Sequence, residues 1–420
     1  MRGFDLAVIG GGPAGMAAAI AAKKKGLDNI IIFERDTQLG GILNQCIHNG
    51  FGLHTFREEL TGPEYAERYA DMVRELGIPY ETGTMVLNIS DDRTVTIMSK
   101  ERGVEDISAK SVVLAMGCRE RPRGALGIAG YRPQGIYTAG TAQRLINIDG
   151  VMPGKECVIL GSGDIGLIMA RRMTLEGAHV AAVFELMPYS NGLNRNIVQC
   201  LDDFDIPLLL SHTIVDIKGK EKLEGVVVAE VKDGKPIAGT EEYYPCDTLL
   251  LSCGLIPENE LSRACGVEIN PLTNGAVVDD RLQTSIPGVF ACGNVLHVHD
   301  LVDYVSAEAA KAGESAAEFV QNSRVSVEGT MIGLKPGNGV RYTVPNKVTV
   351  GASDEDLHIR FRVTGIYKNA EIVIKSGENE LLRRKSRIMI PSEMQDITVK
   401  RDILAKARED IIIMTEGDVQ

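Results

Sequence analysis

Continuous apolar runs alternate with helical segments along most of the chain. Residues 5–26, "DLAVIGGGPAGMAAAIAAKKKG", pass from an apolar run through a cluster of glycines into an alanine-rich stretch. An apolar run of this length indicates a strand buried on both faces, and the alanine-rich stretch indicates a helix that packs on it. The same order returns in residues 157–185, "CVILGSGDIGLIMARRMTLEGAHVAAVFE". The pattern predicts two α/β units built on parallel sheets.

Further segments complete these two units. Residues 111–117, "SVVLAMG", and residues 247–254, "DTLLLSCG", are apolar runs that end at glycine, and each is expected to be the last strand of its half. Residues 284–295, "TSIPGVFACGNV", indicate a turn and a strand. Residues 301–320, "LVDYVSAEAAKAGESAAEFV", indicate a helix.

The pattern changes from Val325 onward. Short alternating segments follow, "LHIRFRV", "AEIVIK", "SRIMIP", "DITVK" and "DIIIM", with the turn-like stretches "YKN", "GENE" and "PSEMQ" between them. Their spacing predicts a small antiparallel β domain, with Arg383-Arg384-Lys385 in an exposed turn. We expect a packing or oligomerisation module, or alternatively a docking surface for a partner subunit.

The first glycine cluster has the chemistry of a dinucleotide site. Gly10, Gly12 and Gly15 form G-x-G-x-x-G, which permits a tight turn, close approach of a pyrophosphate and close packing of the helix on the strand. A second strand, "NIIIFER", ends at Glu34, 19 residues after Gly15, where a carboxylate can accept hydrogen bonds from a ribose.

The second glycine cluster repeats this order with Gly161, Gly163 and Gly166, and its second strand ends at Glu185. A carboxylate there accepts a hydrogen bond from a free 2′-hydroxyl and repels a 2′-phosphate. Leu186 and Met187 follow, so no basic residue directly after the strand receives such a phosphate. The second site therefore favours NAD(H) over NADP(H).

Composition narrows the function classes. The net charge of −12 disfavours a nucleic-acid partner, which requires clustered cations. From its apolar segments we expect neither a membrane span nor a signal peptide. Eight cysteines without a C-x-x-C pair predict neither a disulfide framework nor a zinc site, and we expect a cytoplasmic protein.

Over about its first 324 residues the chain resembles the pyridine nucleotide–disulfide oxidoreductase superfamily, in its thioredoxin-reductase-like branch. The resemblance rests on "GGGPAG", Glu34-Arg35, "GCRERP", "GSGDIG" and "PGVFACGN". It implies tightly bound FAD and exchanging NAD(H). The residues that it assigns to FAD are Gly10, Gly12, Pro13, Ala14, Gly15, Glu34, Arg35, Gly41, Val86, Ala115, Gly117, Gly293 and Asn294. Those that it assigns to NAD(H) are Gly161, Gly163, Asp164, Ile165, Gly166, Glu185 and Gly254.

The fold expected from pattern and resemblance together is α/β, with two Rossmann-like dinucleotide-binding domains and a small C-terminal antiparallel β domain. The FAD-binding domain is discontinuous. The expected bounds are 1–120 and 256–324 for the FAD-binding domain, 121–255 for the NAD(H)-binding domain, and 325–420 for the β domain.

The stretch "RPQGIYTAGTAQRLINIDGVMPG" is similar to flavoprotein subunits of amino-acid and opine dehydrogenases and to those associated with bacterial glycerol-3-phosphate dehydrogenase. This similarity implies an electron-transfer subunit whose partner, a flavoprotein dehydrogenase, oxidises glycerol 3-phosphate or, as second choice, an amino or opine acid. Asn294 stands where the family usually has aspartate. The opine-type relatives carry C-terminal cysteines for an iron–sulfur cluster, and this chain has none after Cys292.

Cys46 and His48 are the candidate catalytic residues outside the nucleotide sites. Cys46 is a lone redox thiol whose pKa His48 lowers, or else a small buried packing residue. The thiol leads to an alternative function, a stand-alone NADH oxidase, peroxidase or coenzyme A-disulfide reductase. A non-catalytic scaffold is a third possibility.

The stretch "HVHD", His297 to Asp300, raises the question of a metal site. Two histidines at i and i+2 on a strand would point to opposite faces, so we expect a polar lining near the flavin and no metal site.

Overall fold

The computed structural model describes residues 1–321, 329–351 and 356–418. The chain divides into two compact units. The first comprises Met1–Cys118 and Pro257–Gln420, and the second comprises Arg119–Ile256. The sequence-based boundary between residues 324 and 325 lies outside the described residues.

The first 118 residues form most of a seven-stranded sheet. Its central strand β1 pairs in parallel with β2 on one side and β8 on the other, while β6 and β7 form an antiparallel hairpin that continues from β8. The strands of this segment are β1 (Arg2–Ile9), β2 (Ile30–Phe33), β3 (Asn49–Phe51), β4 (Leu60–Thr61), β5 (Tyr80–Glu81), β6 (Thr84–Ile89), β7 (Thr94–Ser99) and β8 (Gly103–Leu114). Strands β3 and β4 pair with each other in a separate two-stranded sheet. The helices are α1 (Pro13–Lys24) and α2 (Gly62–Glu75), with a 3₁₀ turn at Gly41–Gln45.

The two helices form for different local reasons. Small side chains let α1 bury nine consecutive residues, Ala14 to Ala22, between the sheet and another helix. The amphipathic α2 begins with a capping box, in which the Thr61 hydroxyl and the Glu64 carboxylate each accept from the other residue's backbone N–H.

The second unit is built on a five-stranded parallel sheet in the order β10-β18-β11-β12-β13 and a four-stranded antiparallel sheet. The strands are β9 (Cys118–Glu120), β10 (Ile136–Thr138), β11 (Glu156–Leu160), β12 (His179–Glu185), β13 (Leu208–Leu210), β14 (His212–Lys218), β15 (Gly225–Lys232), β16 (Lys235–Pro236), β17 (Glu242–Pro245), β18 (Thr248–Leu251) and β19 (Leu255–Pro257). The helices are α3 (Arg123–Leu126), α4 (Ala139–Asn147), α5 (Asp164–Leu175) and α6 (Asn194–Cys200), with a 3₁₀ turn at Asp202–Phe204.

After Pro257 the chain completes the sheet of the first unit. This part contains α7 (Glu260–Ala264), β20 (Val289–Ala291), a 3₁₀ turn at Gly293–Val295, and α8 (Val302–Gln321). Strand β20 pairs in parallel with β8. Helix α8 packs closely on α1, because a Cβ at Gly313 would lie 2.0 Å from the backbone oxygen of Ala18. Only glycine permits this approach.

The C-terminal region consists of two sheets, in the orders β23-β21-β28-β25-β26 and β22-β24-β27, which share one apolar core. Its elements are β21 (Thr330–Pro336), β22 (Val340–Val344), β23 (Lys347–Val350), β24 (Leu357–Val363), β25 (Tyr367–Ser376), β26 (Asn379–Met389), β27 (Gln395–Val399), α9 (Arg401–Leu404) and β28 (Ile411–Glu416). All pairs are antiparallel except β21 with β28. The predicted fold class is confirmed.

Two details of the sequence-based prediction for this region were wrong. Arg383-Arg384-Lys385 lies in the middle of β26, which pairs with β25, and Arg383 forms ion pairs with Glu371 of β25 and Glu416 of β28. The stretch "YKN" begins β25, and Asn369 absorbs a local irregularity there with a φ of 51°.

The described part of the chain contains no helix with the length and apolar composition needed to cross a lipid bilayer.

Candidate functional site

The first glycine turn connects β1 to α1. A Cβ at Gly15 would lie 1.8 Å from the carbonyl oxygen of Gly10, and one at Gly10 would lie 2.5 Å from the carbonyl oxygen of Ala115 at the end of β8. Helix α1 begins at Pro13 with Gly12 as its N-cap, without a side-chain cap and without an acid in its first turn. Its N-terminal N–H groups therefore suit an anionic ligand.

Space for such a ligand lies over Gly12. A Cβ added there would meet only the Cα of Gly41, at 4.0 Å. Gly293 closes another side, since its Cβ would lie 2.9 Å from that of Ala14. The structure thus brings Gly12, Ala14, Gly41 and Gly293 together around the start of α1, and their small side chains fit a pyrophosphate that approaches the backbone.

Glu34 stands directly after β2 and is buried. One carboxylate oxygen accepts the N–H of Gly11 at 2.7 Å, and the other accepts the N–H of Asp36 at 2.7 Å. The carbonyl of Glu34 accepts the N–H of Thr84, so the start of β6 lies beside the end of β2. Val86 of β6 is buried. Next to these residues lies an open cleft of about 480 Å³, which is lined by Arg35, Gly83, Met85, Met98, Ser99 and Lys100.

The second glycine turn repeats this geometry. A Cβ at Gly161 would lie 2.2 Å from the carbonyl oxygen of Ser252, the counterpart of Ala115. Glu185, at the end of β12, accepts the N–H of Met187 at 2.9 Å with one oxygen. Its other oxygen accepts both the N–H and the hydroxyl of Ser162, at 2.9 and 2.6 Å. Glu185 therefore has the same pair of backbone donors as Glu34, with one hydroxyl in addition.

Comparison with known proteins agrees with two such turns in one chain. Residues 4–323 match the model of the family described as pyridine nucleotide-disulphide oxidoreductase. The chain belongs to this family. Its members bind FAD and NAD(P)H, so the chain is a flavin-dependent NAD(P)H oxidoreductase.

Its relatives differ in what they do. Thioredoxin reductase from Listeria innocua is 25% identical over 77% of this chain and 96% of its own length. Hydrogen cyanide synthase subunit HcnB from Pseudomonas protegens is 26% identical over 69% of this chain and 65% of its own length. The crystal structure of T. acidophilum thioredoxin reductase superimposes with a TM-score of 0.61 at 25% identity, over 78% of this chain and all of that one.

Two serines of this family member were missed by the sequence analysis. Ser162 occupies the place of Gly11 in the second turn and binds Glu185. Ser252 follows β18, and its hydroxyl accepts the N–H of Gly166 at 3.1 Å. Alignment of the two repeats in the sequence would have revealed both serines, because Ser162 stands where the first repeat has Gly11 and Ser252 where it has Ala115.

The remaining residues assigned to the second turn lie around it. Asp164 opens helix α5, and its carboxylate accepts from the N–H of Leu193 at 2.8 Å and from Asn196 at 2.6 Å. Ile165 is half-buried in the same turn of helix. Gly254 has a φ of 99°, and its carbonyl accepts the N–H of Arg121.

Cys46 follows the 3₁₀ turn Gly41–Gln45, and its thiol donates to the carbonyl of Ile42 at 3.3 Å. Burial raises the pKa of Cys46 to about 12. A lowered pKa for Cys46 was expected, and that expectation was wrong, because burial of the thiol raises its pKa. The His48 ring lies 5.0 Å from that of Phe51. None of the eight cysteines, all within the described residues, forms a disulfide.

The predicted orientation of the two histidines in "HVHD" was also wrong. The rings of His297 and His299 lie 4.1 Å apart, and both face the carboxylate of Glu308. The reason is that these residues follow the 3₁₀ turn Gly293–Val295 and are not in a strand, so their side chains do not alternate. Glu308 follows His297 by 11 residues and lies in helix α8, and its further partner Arg360 lies 52 residues beyond it, so no local pattern pointed to this cluster.

The cluster around Glu308 is a polar network with its own cation. His297 donates to Glu308 at 2.9 Å, and the Arg360 guanidinium donates to the same oxygen at 2.8 Å. Burial, and next the charge of His299, lower the pKa of His297 to about 4. Burial alone would raise the pKa of Glu308, but its interactions with His299 and His297 hold this pKa well below its usual range. Because a guanidinium already occupies the carboxylate, the described cluster does not favour a metal ion.

Asn294 and Gly117 complete the surroundings of the first turn. The Asn294 amide donates to the sulfur of Cys118 at 3.6 Å, and its oxygen accepts the N–H of His299 at 3.1 Å. Gly117 has a φ of 74° just after β8. Cys118 and His299 thus hold the side chain of Asn294 in one orientation, next to Gly293.

Proposed function

We propose that the first glycine turn binds FAD, that the second binds NADH, and that the chain passes electrons between NAD(H) and a partner dehydrogenase. The observation that carries the proposal is the repeated turn, in which Glu34 and Glu185 hold the same position relative to their glycines. The sequence contains no C-x-x-C pair, and the eight cysteines, all within the described residues, form no disulfide. Electrons from the flavin would therefore go to a partner and not to a disulfide within this chain.

The proposal gives each group of residues a task. Gly10, Gly12 and Gly15 let the pyrophosphate of FAD approach the start of α1, and Glu34 accepts from the adenosine ribose. Glu185 does the same for NADH. The flavin ring supplies the hydride chemistry at its N5 position. The protein's own contribution is to bind and orient the two dinucleotides.

The partner that we propose is a flavoprotein dehydrogenase, with glycerol 3-phosphate as the first choice of substrate and an amino or opine acid as the second. One of the similar proteins is itself described as a subunit, of hydrogen cyanide synthase, which supports a role within a larger assembly. Purification of the full chain from its natural host, followed by identification of the proteins bound to it, tests the partner. A homo-oligomer without a second protein would contradict this part of the proposal.

Anaerobic titration of the purified flavoprotein with NADH tests the redox part. We expect the visible flavin band to bleach, because the second turn holds the reduced nicotinamide dinucleotide for hydride transfer to the flavin. The measurement is the absorbance of the flavin band against NADH added. If neither NADH nor NADPH bleaches the flavin band, the redox part of the proposal is contradicted.

The Cys46→Ser variant distinguishes this function from a thiol-based peroxidase or disulfide reductase. We expect the variant to be reduced by NADH at an unchanged rate, and any turnover with peroxide to remain within about twofold of the original. The physical reason is that a thiol with a pKa of about 12 is protonated at neutral pH and is a poor nucleophile. If peroxide or disulfide turnover is lost while flavin reduction persists, Cys46 is a redox thiol.

A further inference from the structure

The carboxylate of Glu308 joins two distant parts of the first unit. One of its oxygens accepts the backbone N–H of Gly293 at 2.9 Å. The other accepts from Arg360 in β24, a strand of the C-terminal β domain, at 2.8 Å. The Glu308 side chain is only 1% exposed and that of Arg360 12%. The β domain therefore reaches, through one buried carboxylate, the turn that lies against Ala14 at the start of α1.

A second arginine of β24, Arg362, binds the chain a few residues after Gly293, at Val298 and Asp300. Arg362 forms an ion pair with Asp300 and donates to the carbonyl of Val298 at 3.2 Å. Asp300 also accepts the N–H of Met394 at 2.6 Å. The segment from Gly293 to Asp300 is thus bound directly by the β domain at Val298 and Asp300, and at Gly293 indirectly, through Glu308 of α8.

Arg360 is itself oriented. Its Nε donates to the carboxylate of Asp396 on the neighbouring strand β27 at 3.2 Å, while its Nη1 points at Glu308. A buried ion pair adds little net stability compared with apolar packing, since both charges lose their hydration. Its geometric effect is larger, because the guanidinium fixes one oxygen of the carboxylate whose other oxygen accepts the N–H of Gly293.

We infer that Arg360 is a positioning residue for the flavin-binding turn, and that through it the C-terminal β domain sets the conformation of Gly293 and Asn294. The inference rests on the proposed function, in which these two residues contact FAD. Without the guanidinium, Glu308 loses a charged donor in a buried site. His297 and His299 remain beside the oxygen that bound Arg360, but the carboxylate is no longer held from the side of β24 and rotates, so its hydrogen bond from the N–H of Gly293 weakens. The turn beside α1 loosens, and Asn294 moves with it.

The test compares Arg360→Gln, Arg360→Lys and, as matched control, Arg383→Gln, which breaks ion pairs on the exposed strand β26 of the same domain. We expect Arg360→Gln to bind FAD about tenfold more weakly, equivalent to about 1.4 kcal/mol. The visible band of its bound flavin should also change shape. Arg360→Lys should recover most of the affinity, because it returns a cation to Glu308, and Arg383→Gln should match the original chain. FAD dissociation constants and spectra are measured well below each variant's unfolding temperature.

The outcomes separate this inference from the proposed function. If the original chain binds no FAD, the proposed function fails. If it binds FAD and Arg360→Gln binds it equally tightly with the same spectrum, only the inference is overturned. Should Arg360→Gln not fold, Asp396→Asn replaces it, since that change frees the guanidinium from its second partner. We then expect about threefold weaker FAD binding, and an unchanged affinity counts against the inference.

Discussion

The variant Gly15→Ala is expected to purify without flavin. Its Cβ would lie 1.8 Å from the carbonyl oxygen of Gly10, so either α1 must move away from β1 or the turn must open. Both changes displace the N–H groups that face the pyrophosphate in the proposed site. We expect FAD affinity to fall at least a hundredfold, on the order of 3 kcal/mol. Flavin content after purification and the dissociation constant for added FAD are the measurements.

Two further alanine variants make this result specific. Gly166→Ala changes the equivalent position of the second turn, where the Cβ would lie 2.6 Å from that of Ser252. This variant should keep its flavin, but NADH should reduce that flavin at least about tenfold more slowly than in the original chain. Gly124→Ala, where nothing lies within 4 Å of the added Cβ, should change neither property. A yellow Gly15→Ala variant with the original FAD affinity would show that the first turn does not hold the dinucleotide.

The opposite expectations for Gly15 and Gly166 follow from a repeat that was visible in the sequence. Each turn is a local structure, because strand, glycines, helix and acid lie within about thirty residues and the backbone at the glycines admits no side chain. Local information of this kind also predicted α8 and most strands of the C-terminal domain. It also indicated where Glu34 and Glu185 stand, at the end of the second strand of each half.

The network around Glu308 was beyond such reasoning. Its members come from the 3₁₀ turn at Gly293, the middle of α8 and strand β24. Only the folded chain brings them together, so the spacing of His297 and His299 suggested a strand that does not exist. Arg383 was misplaced for the same reason, since its ion-pair partners lie on β25 and β28. Charges that long-range pairing neutralises have no local pattern.

The two turns differ in how their carboxylates are held. Glu34 has two backbone donors, from Gly11 and Asp36, whereas Glu185 has in addition the hydroxyl of Ser162 at 2.6 Å. A third donor holds the Glu185 carboxylate in one orientation and stabilises its charge. In the proposed NADH site this fixed charge is the group that a 2′-phosphate would meet.

A preference for NADH over NADPH of roughly tenfold to a hundredfold is therefore expected. A like charge at hydrogen-bonding distance costs on the order of 1–3 kcal/mol after solvent screening. Glu185→Ala removes both the repulsion and the ribose contact, so the rates with the two cofactors should converge. Adding Leu186→Arg, at a side chain that is 45% exposed, should then favour NADPH, because an arginine can bind the 2′-phosphate. Rates of flavin reduction at matched low concentrations of each cofactor give the ratio.

The control for this ratio is Glu156→Ala, which removes an exposed carboxylate at the opposite end of the same sheet, where it pairs with His179. It lowers the negative charge of the protein by the same amount but lies at the start of β11, away from the glycine turn. Its cofactor preference should equal that of the original chain. If Glu156→Ala and Glu185→Ala shift the ratio alike, the preference is an effect of overall charge. If the original chain reduces its flavin equally fast with NADH and NADPH, Glu185 does not face the ribose, and the hydroxyl of Ser162 orients it for another purpose.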